Sequence, residues 1–197
     1  MLPYAATILF AVLSSSALPT AADEGPARQI VTRVNEGWPL EDFSLTDQAG
    51  KPFTRDNLVG KWTFVVAADT RCGEPCKQCF TMLAAMRERI ARTTKAPTTQ
   101  MVFLSLGEES AEAVKSYLAQ YPDVVALIGK PEATERLLGD LGIAQAAIGV
   151  GKKAEVSNGY AGTMALIDAK AIVSGQYMPP YEVQMFTARY LKTRGRR

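Results

Sequence analysis

Two apolar runs, each followed by a helical pattern, constrain the fold of this chain more than any other feature. Trp62–Ala68 and Met101–Leu106 contain no charged residue and are rich in β-branched and aromatic side chains. Runs of that kind are typical of strands buried on both faces of a sheet. A helical pattern at 75–93 follows the first run, with apolar residues at spacings of three, four and seven: Phe80, Leu83, Ala84 and Ile90. This alternation predicts an α/β fold with parallel strands in its middle.

Shorter elements surround these strands. Phe43–Leu45 and Phe53 flank the turn sequence Asp47–Gly50, which predicts an N-terminal hairpin. Further along the chain, the pattern predicts in order a helix capped by Ser110, a strand at Val124–Ile128, a helix from Pro131 to Gly142, a loop at 144–162, a strand at Met164–Asp168, its hairpin partner at Ala171–Met178 and a helix at 180–194. This order predicts a thioredoxin-like fold, in which a central sheet of parallel and antiparallel strands is flanked by helices.

The first segment of the chain, residues 1–22, differs from the rest because it contains none of the 22 basic and 20 acidic residues. In it, Ala5–Leu13 is a short apolar run, and Pro19–Ala22 offers small residues to a signal peptidase. The expected location is therefore the periplasm or another part of the cell envelope, where a disulfide persists. The alternative is that this segment is not cleaved and anchors the protein in the membrane. We expect four segments: a signal peptide at 1–22, a leader at 23–37, one domain at 38–194 and a basic tail at 195–197.

Composition excludes several kinds of function. The chain has no histidine, so a Ser-His-Asp triad, a Cys-His dyad, a His-ligated zinc site and a haem with an axial histidine are all excluded. A net charge of +2 gives no reason to expect nucleic-acid binding. The side chains left for chemistry are those of cysteine, the acidic residues, lysine, arginine, tyrosine and methionine.

The three cysteines, Cys72, Cys76 and Cys79, lie where the first buried strand ends and the next helix begins. In open α/β sheets this carboxyl edge carries the active site. The helix N-terminus, together with Arg71 and Lys77, favours a thiolate and lowers the pKa of a cysteine there. A loop–helix junction brings Cys72 and Cys76 within disulfide range, whereas Cys76 and Cys79 both lie inside the helix. The spacing therefore favours a Cys72–Cys76 disulfide over a Cys76–Cys79 disulfide.

The pair Cys72–Cys76 is interpreted as redox-active rather than structural, because two cysteines four residues apart close too small a loop to stabilise a fold much. Two interpretations of Cys79 stay open. It is either a small, half-buried helix residue beside Phe80, or a third thiol that resolves a disulfide or ligates a metal.

Five segments of the chain together match a known protein family: Phe43–Lys51, Leu58–Trp62, the C-x-x-x-C at Cys72–Cys76, Phe103–Leu106 and Met164–Asp168. In these segments the chain resembles the Sco/SenC family of thioredoxin-like copper chaperones, over about residues 38–194. The resemblance implies a protein that binds copper through two cysteines and one histidine. Such a protein delivers the copper to the binuclear copper site of cytochrome c oxidase, or reduces the disulfide of that site.

The chain departs from this family at the copper site. The family histidine falls a few residues before the strand at Met164–Asp168, where this chain has Asn158 and Tyr160. Neither side chain is a soft ligand of the kind that Cu(I) prefers. The acidic segment after the second central strand is also changed, and reads Gly-Glu-Glu-Ser at Gly107–Ser110.

Three functions therefore remain open. In the first, the protein is a monomeric oxidoreductase that uses Cys72 and Cys76 to exchange disulfides with the thiols of partner proteins, and it requires no cofactor. A copper-binding oxidase subunit is one such partner. In the second, the same two cysteines bind Cu(I), and a third soft ligand comes from Cys79, Met82 or Met178. In the third, the protein is a redox-inactive interaction protein.

Overall fold

In the computed structural model, a mixed β-sheet forms the centre of the protein. The structure describes residues 31–32, 37–92, 99–106, 108–143, 163–178 and 181–195. The expected signal peptide, almost all of the expected leader, the loop at 144–162 with Asn158 and Tyr160, and the last two residues lie outside these ranges. None of the helices within the ranges is long and apolar enough to cross a membrane.

The central sheet contains seven strands within the described residues: β1 (Val31–Thr32), β2 (Trp38–Pro39), β5 (Trp62–Ala68), β6 (Thr99–Ser105), β7 (Val124–Leu127), β8 (Met164–Ile167) and β9 (Ile172–Tyr177). Their order is β1-β9-β8-β5-β6-β7, and β2 also pairs with β9. β5, β6 and β7 are parallel, whereas β8 and β9 run antiparallel to their neighbours. β3 (Ser44–Thr46) and β4 (Pro52–Thr54) form the predicted hairpin as a separate two-stranded sheet.

The strand β5 divides the core into two layers. All seven of its residues are buried, and alternate side chains face opposite sides of the sheet. Phe64 and Val66 join the cluster that contains the three cysteines, whereas Val65 and Ala67 join the cluster on the other face. The nearly continuous apolar run is therefore needed on both faces, and the predicted mixed sheet in a thioredoxin-like α/β fold is confirmed.

Helices cover both faces of this sheet: α1 (Glu74–Ala91), α2 (Ala111–Leu118), α3 (Pro131–Asp140) and α4 (Val183–Arg194), with a short 3₁₀ helix at Arg55–Leu58. The helices α1, α2 and α4 contribute buried residues to the layer that contains the cysteines. The helix α3 and the β3–β4 hairpin cover the opposite layer. Ser110 caps α2 as predicted, since its side chain accepts a hydrogen bond from the Ala113 amide.

Two details of the predicted helices are wrong. Ala84 is exposed, because the buried stripe of α1 runs through Cys79, Leu83, Met86 and Ile90, at spacings of four, three and four. Ala84 lies one step around the helix from this stripe and faces solvent. The helix α4 begins at Val183 rather than at 180.

Candidate redox site

The cysteine loop connects the carboxyl end of β5 to the first turn of α1. The structure joins Cys72 to Cys76 in a disulfide, with their Cα atoms 5.7 Å apart, and leaves Cys79 outside it. This is the pairing that the spacing favoured. Cys72 lies in the loop and Cys76 in the first turn of the helix. The bond therefore ties the loop to the helix N-terminus.

Two residues between the cysteines shape the turn. Gly73, the N-cap residue of α1, has φ of 59° and ψ of −132°, a conformation that is open to glycine and strained for other residues. Pro75 follows in the first helical turn, where the missing N–H removes nothing from the helix. The chain can therefore turn sharply enough for the disulfide to close a loop of only five residues, Cys72–Cys76.

The two cations beside the disulfide are each paired with a carboxylate. Arg71 contacts Asp69 at 2.7 Å, and Asp69 is 4% exposed. The hydrogen bond and charge of Asp69 raise the pKa of Arg71 above its ordinary value. Lys77 lies 3.9 Å from Glu74 on the helix surface. Since both positive charges are paired, the N-terminus of α1 is the remaining feature of the described site that favours a thiolate.

A carboxylate that sequence reasoning missed holds the loop before Cys72. The Glu109 side chain accepts hydrogen bonds from the Thr70 amide at 2.9 Å and from the Thr70 hydroxyl. Its other oxygen accepts a hydrogen bond at 2.6 Å from the hydroxyl of Ser105, the last residue of β6. Glu109 belongs to the acidic segment at which the sequence departs from the family, and that segment carries no local signal for a contact with the cysteine loop.

Cys79 is fully buried rather than half-buried. Burial raises the pKa of its thiol to about 12, and a hydrogen bond from the Tyr181 hydroxyl opposes part of this rise. A thiol in that state is a poor nucleophile at neutral pH. The structure therefore supports packing, rather than disulfide resolution, as the role of Cys79.

An aromatic cluster lies beside the cysteines. Phe80 of α1 packs against Tyr121 with ring centroids 4.6 Å apart, and Phe103 of β6 packs against Tyr117 of α2 at 5.5 Å. Burial raises the pKa of Tyr117 to about 12, with smaller contributions from Tyr121, Cys79, Asp69 and Glu109. The rings therefore join α1, α2 and β6 into one support for the cysteine loop.

The proposed third copper ligands differ in their relation to the cysteine pair. Met82 belongs to the apolar cluster of the three cysteines, whereas the described part of that cluster does not include Met178. Within the described ranges, no group of three cysteine or carboxylate side chains is arranged to hold a metal ion. Cys72 and Cys76 in their reduced form supply two adjacent sulfur donors. Two thiolates suit Cu(I), which tolerates two-coordinate sulfur ligation, better than Cu(II).

A cavity of about 400 Å³ lies far from this site, between the amino ends of the central strands and the β3–β4 hairpin. Its lining includes Lys51, Asn57, Arg87, Gln100 and Asp123. None of the three cysteines lines this cavity, so the cysteine loop at the carboxyl end of β5 remains the candidate site.

A cysteine pair at the carboxyl end of a central strand, bonded across a helix N-terminus in this type of sheet, defines a thioredoxin-like protein. The match to a family model makes the assignment more specific. The chain belongs to the SCO1/SenC family, whose model matches residues 38–190. The resemblance found in the sequence is confirmed.

Several known proteins are similar to this chain. Protein SCO1 homolog 1, mitochondrial, of Arabidopsis thaliana is 32% identical over 93 residues, which are 46% of this chain and 28% of that protein. A crystal structure of Arabidopsis thaliana ScoI with copper bound matches with a TM-score of 0.64 and 22% identity, over 80% of this chain and 99% of that one. BsSco, a member of the Sco family of cytochrome c oxidase assembly proteins in which a disulfide switch was identified, matches with a TM-score of 0.61 and 16% identity, over 84% and 98%. At these identities the two structures show the fold alone.

Proposed function

We propose that this protein is an exported thiol–disulfide oxidoreductase that acts through Cys72 and Cys76. The observation that carries the proposal is the disulfide between these residues, at the carboxyl end of β5 and the N-terminus of α1. That edge of the sheet is where α/β proteins place their reactive groups. The disulfide switch described for BsSco supports the same role for a pair in this fold.

The reaction needs only the two thiols. In the reduced protein, the Cys72 thiolate attacks one sulfur of a partner disulfide, forms a mixed disulfide and releases the other partner sulfur as a thiolate. Cys76 then attacks the Cys72 sulfur, which closes the Cys72–Cys76 bond and releases the partner as a dithiol. Two electrons pass from this protein to the partner. We assign the first attack to Cys72 because it lies outside the helix and is 5% exposed, against 0% for Cys76.

The proposed partner is the copper-binding subunit of an oxidase, and the proposed reaction is reduction of the disulfide at its binuclear copper site. This partner follows from membership of a family in which BsSco is described as a cytochrome c oxidase assembly protein. The test uses the soluble domain of such a subunit in its disulfide form.

Trapping the mixed disulfide tests the assignment. Cys76→Ser should accumulate a covalent complex with the oxidised domain, because Cys72 can attack and nothing resolves the product. Cys72→Ser should neither trap the domain nor reduce it. Cys79→Ser serves as the matched control and should reduce the domain at the wild-type rate. Full reductase activity in Cys72→Ser would refute the proposal.

A second candidate function is transport of Cu(I) by the same pair. It is favoured by the two adjacent sulfur donors and by the copper-bound structure of the Arabidopsis relative. In this function copper is cargo. Titration of the reduced protein with Cu(I) under a competing chelator should give one site that both Cys72→Ala and Cys76→Ala abolish. Cu(II) should bind weakly, since it prefers nitrogen and oxygen donors in tetragonal geometry and this chain has no imidazole.

The two assays together also address the third function. A protein that reduces the oxidised domain and binds no Cu(I) is an oxidoreductase alone. A protein that does neither is a redox-inactive interaction protein, and this result would remove both candidate functions.

Export, domain limits and oligomeric state complete the proposal. We expect cleavage after Ala22, followed by a leader at 23–37, one domain at 38–194 and a basic tail, with the mature protein monomeric in the periplasm or envelope. Intact-mass measurement of the protein isolated from cells locates the new N-terminus, and retention of residues 1–22 would identify an anchor instead. Light scattering of the mature protein measures its mass in solution, and a dimer would refute the monomer.

A further inference from the structure

The Glu109 side chain is the link between the cysteine loop and the neighbouring strand. It accepts two hydrogen bonds from Thr70, two residues before Cys72, and one from Ser105 at the end of β6. Hydrogen bonds to an ionised carboxylate are stronger than those between neutral groups. The parallel pairing of β5 with β6 sets Ala68 beside Ser105, so the two strands end level and the carboxylate lies between them.

A second set of hydrogen bonds continues this link to Cys72. The Asp69 side chain accepts a hydrogen bond from the Arg71 amide at 2.8 Å, and the Asp69 carbonyl accepts one from the Cys72 amide at 3.1 Å. The loop between β5 and Cys72 is thus held by polar contacts that involve neither cysteine sulfur. Reduction breaks only the bond between the two sulfur atoms, so it removes none of the atoms that make these contacts.

We propose that Glu109 is a positioning residue that keeps Cys72 within reach of Cys76 in the reduced protein. This inference rests on the proposed function, since it concerns the same pair. With Glu109 in place, the loop is already ordered before the disulfide forms. Without it, disulfide formation must also order the loop, which lowers the effective concentration of one thiol at the other. Glu109 therefore favours the closed pair.

The redox equilibrium of the isolated protein measures this effect. One protein disulfide and two molecules of reduced glutathione give one protein dithiol and one molecule of oxidised glutathione, so two electrons and two protons are transferred. The reduced fraction is read by alkylation and mass spectrometry after equilibration in buffers of defined glutathione ratio. Glu109→Ala should raise the equilibrium constant for reduction about tenfold, which corresponds to a potential less negative by about 30 mV.

Two further variants separate positioning from charge. Glu109→Gln keeps an oxygen that accepts hydrogen bonds from Thr70 but removes the negative charge, and should change the constant by less than about threefold. Glu108→Ala removes an equal charge from the exposed neighbouring residue and should leave the constant unchanged. If Glu109→Gln shifts the constant as far as Glu109→Ala does, charge rather than positioning is responsible and the proposal is refuted.

A direct readout of the loop completes the test. In the reduced wild-type protein, the Thr70 amide should be protected from hydrogen exchange, and Glu109→Ala should remove that protection. If Glu109→Ala does not fold, Thr70→Val removes one hydrogen bond to the carboxylate and should still shift the constant about threefold. A constant within about 1.5-fold of wild type in every foldable variant would overturn the inference. Because the assay needs no protein partner, failure of the proposed function with the oxidase domain would be distinguishable from this result.

Discussion

Cys79 should resist alkylation in the folded protein far more strongly than an ordinary thiol. With the Cys72–Cys76 disulfide intact, Cys79 is the one cysteine of the chain that can be alkylated. Its side chain has no exposed surface, and burial raises the pKa of its thiol to about 12. Since the thiolate is the nucleophile, both features slow the reaction.

The expected magnitude follows from this pKa. At pH 8, a thiol with a pKa of about 12 is about 0.01% thiolate, whereas an ordinary cysteine with a pKa of about 8.5 is about one quarter thiolate. The ionisation difference alone predicts a reaction on the order of a thousandfold slower. Lack of access to the reagent slows the reaction further, so a thousandfold is a lower bound.

The assay is alkylation of the oxidised protein with iodoacetamide at pH 8, followed by mass spectrometry. The same protein in concentrated guanidinium chloride, with its disulfide intact, provides the rate for an exposed Cys79. Tyr181→Phe is a second comparison. The Tyr181 hydroxyl lowers the pKa of Cys79, so its removal should raise that pKa and make alkylation no faster.

A folded Cys79 that reacts within about tenfold of the unfolded rate would refute the reasoning. It would show that the thiol is reached by solvent and ionises readily. Cys79 would then be available as a third redox or copper-binding sulfur, and the packing role supported by its burial would be wrong.

Two further predictions concern stability. Because folding raises the pKa of Cys79, the unfolded thiol loses its proton first, and the free energy of unfolding should fall by about 1.4 kcal/mol per pH unit above about pH 8.5. Urea unfolding at pH 8, 9 and 10 should show this slope in the wild-type protein and a smaller slope in Cys79→Ala. Equal slopes in the two proteins would contradict the prediction. Gly142→Ala should cost about 2–4 kcal/mol, because Gly142 has φ of +66° and a methyl group there would collide with the Gln176 amide, which donates to the Leu141 carbonyl at 3.0 Å. Gly139→Ala is the control, since nothing lies within 4 Å of the added carbon in α3, and it should be neutral or slightly stabilising.

The parts of the fold that could be predicted are those that depend on local pattern. The apolar run at 62–68 predicted both ends of β5, because a strand buried on both faces is built almost entirely from apolar side chains, with Thr63 as its one polar residue. The pairing of Cys72 with Cys76 followed from their positions on either side of a helix start. By contrast, the predicted burial of Ala84 is wrong, because apolar residues on two neighbouring faces of a helix both fit the period of 3.6 residues.

The contact between Glu109 and Thr70 could not be read from local pattern, since 39 positions separate the two residues. It depends on the register of β5 against β6, which places the ends of both strands at one level. A sequence carries a signal for it only after that register is known. The pairing of Arg71 with Asp69 is local by comparison, since the acidic residue lies two positions before the arginine and offsets its positive charge.

The burial of the disulfide has a kinetic consequence. A thiolate must approach along the axis of the sulfur–sulfur bond, yet Cys72 is 5% exposed and Cys76 is not exposed at all. Attack from outside therefore waits for a transient opening of the site, and the observed rate is the intrinsic rate multiplied by the fraction of time that the site is open. The rate constant for attack by small thiols is therefore reduced by that same fraction. A protein that binds beside the loop and stabilises the open form would react faster than they do, so partner choice in this molecule rests on opening the site rather than on sulfur reactivity.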